Sequence, residues 1–153
     1  MAQETKQHLA GRTVVAGVIG DDIHVIGIRL VEHALKSAGA KVVSLGVMTP
    51  LTEFIEAAIE TKADAVVISS SNGHAAIFCE GIRDAFVEAG LPDIPLYIGG
   101  KLRVGSRAGS FEEVEAEFKA MGFDRVFEPN AELGSAMAII AADLDSRDHG
   151  RKR

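Results

Sequence analysis

The sequence predicts an α/β fold in which a five-stranded parallel sheet carries helices on both faces. The first observation is a set of apolar runs that do not alternate with polar residues, as is typical of strands buried on both faces. The second is that segments with helical spacing separate these runs, in the order βαβαβαβαβα. The chain has 153 residues, about the size of one domain, so we expect a single core.

The five predicted strands are short and rich in β-branched residues. They are TVVAGVI (13–19), KVVSLGV (41–47), DAVVISS (64–70), IPLYIGG (94–100) and the shorter DRVFEP (124–129). Strand–helix–strand units cross over with a right-handed turn, so the alternation predicts parallel pairing. The expected fold class is a Rossmann-like, flavodoxin-like sheet, whose strand order is 2-1-3-4-5.

The first two predicted helices each carry an apolar stripe. In the first helix the stripe consists of Val31, Ala34, Leu35 and Ala38. Gly39 supplies its stop signal. The second helix, LTEFIEAAIETKA (51–63), has Thr52 as a candidate N-cap. Its stripe consists of Phe54, Ala57, Ala58 and Thr61.

Three further helices complete the alternation. CEGIRDAFVEAG (79–90) repeats the apolar pattern and stops at Gly90. SFEEVEAEFKAMG (110–122) begins with Ser110 and Glu113 in the spacing of a capping box and ends at Gly122. The last predicted helix covers about residues 132–144.

Charge and composition exclude several classes of protein. The net charge is −6, and 47% of residues are hydrophobic but only 5% aromatic, so the core must be aliphatic. An acidic chain lacks the basic face that phosphates require, and we expect no nucleic-acid partner. The single cysteine, Cys79, allows no internal disulfide, fits a reducing compartment and is expected to be buried.

The expected domain covers residues 13–145. A polar N-terminal extension (1–12) precedes it and a polar basic tail (146–153) follows it. Residues 1–12 lack the apolar stretch of a signal peptide, and no apolar run approaches the roughly 20 residues that span a bilayer. We therefore expect a cytoplasmic protein without membrane association.

Ligands of such sheets bind beyond the carboxyl ends of the strands. Three polar segments follow predicted strands there, GDDIHVIG (20–27), SSSNGH (69–74) and GGKLRVG (99–105). Neither a G-x-x-x-x-G-K-[ST] phosphate loop nor a G-x-G-x-x-G dinucleotide fingerprint occurs. A phospho-accepting receiver domain would end its third strand with aspartate, where Ser69 stands, and a flavin site would need aromatic walls that Tyr97 alone cannot form.

His24 is the candidate metal ligand among five histidines. A ligating histidine needs an acceptor for its second ring nitrogen, because that bond fixes the tautomer and raises the basicity of the ligand. Asp22 can supply the acceptor, since residues i and i+2 of an extended loop point the same way. His8, His33 and His149 lie in polar segments or on a helix, where a solvated side chain is the default.

Three elements together, in order and each at a strand end, resemble the cobalamin-binding domain that mutases share with corrinoid methyltransferases. Asp22, His24 and Gly27 spell D-x-H-x-x-G, the family's S-x-L begins at Ser69, and Gly99-Gly100 match its G-G. The resemblance implies that His24 is the lower axial cobalt ligand, that Asp22 accepts its hydrogen bond, and that the cofactor's nucleotide tail lies in a tunnel through the domain.

From about residue 13 to residue 144 the chain is similar to the small subunits of glutamate mutase, also called methylaspartate mutase. GVIGDDIHVIG, AAIETKADAVVISS, YIGGKLRVG and FKAMGFDRVFEP carry this similarity. It implies these cofactor-binding residues: Asp22, Ile23, His24, Val25, Gly27, Ser69, Ser71, Gly99 and Gly100. The chain departs from the family at Ser71, which stands where the leucine of S-x-L is expected.

The resemblance implies an isomerase subunit that binds adenosylcobalamin and is inactive alone. A separate, barrel-like large subunit would carry the substrate site and enclose the cofactor, and the assembled enzyme would interconvert L-glutamate and 3-methylaspartate by a radical mechanism. Lys101, Arg103 and Arg107 would form only a rim beside the site. The alternatives are the small subunit of an acyl-CoA mutase, a corrinoid methyl-transfer protein, and a cobalamin carrier or sensor.

Overall fold

The predicted sheet is present with the predicted strand order. The computed structural model describes residues 7–105 and 108–151. The strands are β1 (Thr13–Val18), β2 (Lys41–Ser44), β3 (Ala65–Ser69), β4 (Leu96–Gly99) and β5 (Arg125–Phe127). All pair in parallel, in the order β2-β1-β3-β4-β5. The flavodoxin-like fold is therefore confirmed, with β1 between β2 and β3 where the winding reverses.

Six helices lie in the described part of the chain. They are α1 (Ile26–Ser37), α2 (Leu51–Thr61), α3 (Ala75–Cys79), α4 (Ile82–Glu88), α5 (Phe111–Met121) and α6 (Leu133–Arg151). The helix expected over 79–90 begins only at Ile82, because Cys79 is the last residue of α3 and Gly81, with a left-handed φ of 74°, separates the two helices. The last helix extends seven residues beyond the expected end at 144, into the expected polar tail.

The helix caps test two local expectations. Ser110 accepts a hydrogen bond from the Glu113 amide (3.2 Å), so this N-cap of α5 is confirmed. Thr52 is not an N-cap: α2 begins at Leu51, one residue after Pro50. A proline has its φ fixed, here at −72°, and needs no amide partner, so Pro50 can start this helix without a side-chain cap.

The core lies on both faces of the sheet. On one face, Phe54, Phe86 and Phe118 from α2, α4 and α5 pack against the strands. Cys79 is buried in the same cluster, as expected. On the other face, α1 and α6 contribute Leu35 and Ile140. The apolar core thus holds the helices to both faces of the sheet.

The amino ends of the strands form a closed, charged edge. Arg12 contacts Asp64, Asp145 and Asp148 at 3.8, 3.0 and 2.6 Å. Leu9 is fully buried, although it lies in the segment expected to be a polar extension. No helix in residues 7–105 and 108–151 is long and apolar enough to cross a membrane.

Candidate functional site

Three strand-end loops meet at the carboxyl edge of the sheet. β1, β3 and β4 are neighbours, so the residues after Val18, Ser69 and Gly99 lie side by side. Backbone contacts join the first two loops, since the Ile19 amide donates to the Ser69 carbonyl (3.1 Å). The topology thus brings together the three segments that the sequence singled out.

Asp22 holds His24 in the loop after β1. One carboxylate oxygen, Oδ1, accepts the His24 backbone amide at 2.9 Å and lies 2.5 Å from the ring nitrogen Nδ1. The Asp22 side chain is buried, whereas the His24 side chain is 59% exposed. Nδ1 is therefore committed to Asp22, and Nε2 is the ring nitrogen left for a metal, as the D-x-H spacing predicted.

The second oxygen of Asp22 ties its loop to the loop after β3. Oδ2 accepts the Ser71 backbone amide at 2.5 Å, and the Ser70 hydroxyl lies 3.5 Å away. Burial alone would raise the pKa of Asp22, but the hydrogen bonds from Ser71 and His24 outweigh it and lower the pKa below its ordinary value. An ionised Asp22 accepts a hydrogen bond from Nδ1–H, and this leaves the lone pair on Nε2.

The glycines of the site differ in what they contact. Gly100 has φ 109°, and a Cβ there would lie 2.1 Å from the Ser70 carbonyl oxygen, so the loop itself requires glycine. Gly99 is less restricted, because its Cβ would lie 3.5 Å from Phe127. A Cβ on Gly27 would meet nothing within 4 Å, and its φ is ordinary. Nothing in the described chain explains glycine at 27, which is exposed on α1.

The remaining predicted residues lie around this centre. Ile23 and Val25 flank His24 and are 68% and 43% exposed. Ser69 ends β3, and Ser71 is half-buried beside Asp22. Sequence reasoning missed Ser70, which is 1% exposed and reaches Asp22 with its hydroxyl. Its burial could not be read from three consecutive serines, because it depends on contacts with distant segments: the Ser70 amide donates to the Gly99 carbonyl (3.2 Å) and its hydroxyl faces Asp22.

A second histidine–carboxylate pair was also missed. His74 Nδ1 lies 3.0 Å from Asp21 Oδ2, and Asn72 donates to Asp21 Oδ1 at 2.8 Å. These hydrogen bonds lower the pKa of Asp21, that from Asn72 most. The pair could have been suspected from SSSNGH, which places a histidine after the third strand just as GDDIHVIG does after the first.

The cationic rim is only partly described. Arg103 is paired with Glu117 and lies 4.0 Å from Glu113, both on α5. Lys101 is exposed. Arg107 lies outside the described residues. Within residues 7–105 and 108–151, no three histidine, cysteine or acidic side chains are grouped closely enough to hold a metal ion by themselves. A metal at His24 would need most of its ligands from elsewhere, as in a preformed macrocycle.

Solved structures share the fold at low sequence identity. A cobalamin-binding protein from Desulfitobacterium hafniense has a TM-score of 0.70 and 20% identity over 86% of this chain and 58% of its own. The methanol:cobalamin methyltransferase complex of Methanosarcina barkeri has a TM-score of 0.67 and 23% identity over 87% of this chain and 46% of its own. At such identities the likeness concerns the fold.

Sequence comparison gives a narrower family. The B12 binding domain model matches residues 12–129. The glutamate mutase sigma subunit of Carboxydothermus hydrogenoformans is 51% identical over 86% of this chain and 94% of its own. That of Clostridium cochlearium is 45% identical over 88% and 96%. The chain therefore belongs to the B12 binding domain family and, within it, to the sigma subunits of glutamate mutase.

Proposed function

We propose that this chain binds adenosylcobalamin through His24 and presents it to a separate large subunit that carries the substrate site. The observation that carries the proposal is the His24–Asp22 pair, in which a buried carboxylate fixes Nδ1 while the ring is 59% exposed. The assembled enzyme would interconvert L-glutamate and 3-methylaspartate. The acyl-CoA mutase and corrinoid-carrier alternatives are not favoured, because relatives at 44–51% identity are glutamate mutase sigma subunits.

The residues present fit a corrin cofactor. One imidazole nitrogen suffices as the protein's contribution to cobalt, since the macrocycle supplies the ligands around it. Gly27 keeps a helix surface bare where a Cβ would meet nothing in the chain, which suits the close approach of a bulky ligand. The exposed side chains of Ile23, Ile26 and Leu30 offer apolar contact beside the histidine.

Each residue has a definite task in this proposal. His24 binds cobalt with Nε2, and Asp22 holds the proton on Nδ1 and so raises the basicity of the ligand. Gly27, Ser69, Ser71, Gly99 and Gly100 line the pocket for the nucleotide tail, and Ile23 and Val25 pack beside the ligand. Bound adenosylcobalamin supplies the radical chemistry through homolysis of its cobalt–carbon bond.

The large, barrel-like partner is proposed because the described part of this chain neither encloses His24 nor gathers several cationic groups around a substrate. Radical chemistry must be enclosed away from solvent, whereas His24 and its neighbours lie on an exposed edge. A dicarboxylate substrate needs cationic groups, but Arg103 is already paired with acidic residues of α5. If both chains contact cobalamin, each should raise the other's apparent affinity for it.

The test is electron paramagnetic resonance of bound cob(II)alamin in protein labelled with nitrogen-15 histidine. We expect the label to change the superhyperfine pattern in the parent chain and no such coupling in His24→Ala, with His8→Ala as the control. An unchanged pattern in the labelled parent would reject His24 as the ligand. Turnover of glutamate with and without the large subunit tests the partner, and activity of this chain alone would reject it.

A further inference from the structure

Two adjacent carboxylates, Asp21 and Asp22, both join the loop after β1 to the loop after β3. Asp22 turns inward, where it is 1% exposed, and binds His24 and Ser71. Asp21 turns outward, where its side chain is 51% exposed, and binds Asn72 and His74. The first set fixes the imidazole directly. The second set belongs to neither D-x-H-x-x-G nor the other two motif elements, so the function proposed above leaves it without a role.

The loop from 20 to 25 has few other supports. Apart from the Val25 carbonyl, which accepts the Arg29 amide at the start of α1 (3.1 Å), its backbone hydrogen bonds are from the Gly20 amide to the Thr49 carbonyl (2.8 Å) and from the Met48 amide to the Asp22 carbonyl (3.0 Å). Asp22 must therefore orient His24 and also bridge to the loop after β3. Contacts of Asp21 with the loop after β3 would also hold the two loops together, because Asp21 and Asp22 are joined by a peptide bond.

The loop after β3 is itself well anchored, so it can hold the loop after β1 in a fixed position. A Cβ on Gly73 would lie 2.6 Å from a Val104 methyl group, so Val104 packs directly on this glycine. Phe78 of α3 covers Gly20, where a Cβ would lie 2.3 Å from its ring. His74 also orients itself, since its amide donates to the Asn72 side chain at 3.0 Å.

We propose that Asp21, Asn72 and His74 form a clasp that holds the loop after β1 against the loop after β3, and that His74 is thereby a positioning residue for the cobalt ligand His24. The clasp acts through Asp21 and Asp22 and does not touch cobalt. It rests on the proposed function in one respect only, which is that His24 is the ligand.

The first test uses the chain without cofactor. Amide hydrogen exchange of residues 22–25 should become about two- to fivefold faster in Asp21→Ala and in His74→Ala, the range expected for an exposed contact between two polar side chains. The double variant should be no faster than Asp21→Ala, because that substitution already removes the contact with His74 as well as the one with Asn72. His74→Gln, whose amide can still donate to Asp21, should stay near the parent. His8→Ala, another exposed histidine, is the control.

The second test uses cob(II)alamin. His74→Ala should weaken its binding by a similar factor and increase the share of bound cofactor without histidine nitrogen coupling, while His74→Gln restores both. Unchanged exchange at residues 22–25, or additive effects in the double variant, would overturn the clasp. A parent chain without histidine coupling would instead overturn His24 as the ligand, and the exchange experiment would still decide whether the clasp exists.

Discussion

The polar side chains at the two edges of the sheet differ in whether they have partners within the chain. At the amino edge, Arg12 contacts three aspartates, and Arg83 donates to the carbonyls of Gly122 and Ile94 and to Asp124. At the carboxyl edge, the His24 side chain stays 59% exposed beside Ile23 and Ile26, which are 68% and 75% exposed. One edge satisfies its charges within the chain, whereas the other presents a nitrogen and apolar surface outward.

This difference shows that concavity alone does not locate the site. The cavity at the amino edge measures about 510 Å³ and is lined by Arg12, Asp64 and Pro92 among others. Its two arginines, Arg12 and Arg147, already have partners in the chain and are less available to a ligand. At the carboxyl edge, an uncommitted ring nitrogen beside exposed apolar side chains is the better guide to binding.

The largest expected effect is a difference in stability between alanine variants of two neighbouring glycines at the carboxyl edge. Gly100→Ala should lower the free energy of unfolding by about 3 kcal/mol or more, because it combines a left-handed φ with a clash against the Ser70 carbonyl. Gly99→Ala meets only Phe127 at 3.5 Å and should fold normally while binding cobalamin less tightly. Urea denaturation of both variants checks this, and equal stabilities would contradict it.

Replacing Ser71 tests whether this side chain at the carboxyl edge contacts the cofactor. Ser71→Leu should tighten cobalamin binding by about 1.5 to 3 kcal/mol if the side chain faces the nucleotide tail, as the family's leucine does. Ser71→Ala is the control that removes the hydroxyl without adding much apolar surface. Calorimetric titration measures both, and weaker binding by the leucine variant would mean that this side chain faces elsewhere or bonds the cofactor.

Asp22→Ala should weaken cobalamin binding by roughly 10- to 100-fold, the usual loss when a carboxylate behind a metal-ligating histidine is removed. The variant also leaves the Ser71 amide without its acceptor. Absorbance titration gives the affinity. Thr61→Ala, which removes a hydrogen bond far from this edge, is a matched control that should leave binding intact. Parent-like affinity in Asp22→Ala would contradict the assignment.

The amino edge predicts a dependence of stability on pH. The Arg125 guanidinium and the Tyr97 hydroxyl hold the pKa of Asp143 below its ordinary value, despite partial burial. A depressed folded pKa contributes stability that is complete above the unfolded pKa of about 3.9 and is lost as the pH falls through the folded pKa. Asp143→Asn should therefore cost about 1 to 2 kcal/mol at pH 7 and little near pH 2.

Chemical denaturation across this pH range measures the difference. Glu56→Gln, at an exposed position on α2, is the control and should show no such dependence. A constant difference between parent and Asp143→Asn at every pH would mean that the charge of Asp143 does not stabilise this edge.

The smallest expected effect has opposite signs for folding and for binding. Gly27→Ala should stabilise the chain without cofactor by a few tenths of a kcal/mol, up to about 1, because alanine is the better helix former and meets no neighbour. The same change should weaken cobalamin binding, since the added methyl group occupies the bare helix surface. Thermal unfolding and titration of one preparation check both signs, and a stabilised variant that binds like the parent would remove Gly27 from the site.

Sequence periodicity was sufficient for the sheet, and local spacing was sufficient for the hydrogen bond between Asp22 and His24. Continuous apolar runs identified all five strands, and their alternation with helices predicted parallel pairing; the order 2-1-3-4-5 is that of the flavodoxin-like fold. D-x-H needed only the geometry of an extended loop, so the hydrogen bond between Asp22 and His24 could be predicted from spacing. These features depend on local chain geometry.

Contacts between distant segments could not be predicted in the same way. Asp21 and His74 are 53 residues apart, and their segments indicate only that both follow strands at the same edge of the sheet, not that these two side chains meet. Glu32 is 4% exposed because Ser44 of β2 donates to it (2.7 Å), although helical periodicity gave no reason to bury a glutamate. The break at Gly81 was missed because isolated glycines also occur within helices.

The buried thiol has a practical consequence for spectroscopy. Burial raises the pKa of Cys79 to about 12, so this side chain stays protonated and unreactive at neutral pH. One introduced cysteine would then be the only site for a thiol-directed spin label, without prior removal of the native residue. A label at position 77, where Ile77 is 72% exposed on α3, would lie on the carboxyl side of the sheet and report its distance from the unpaired electron of bound cob(II)alamin.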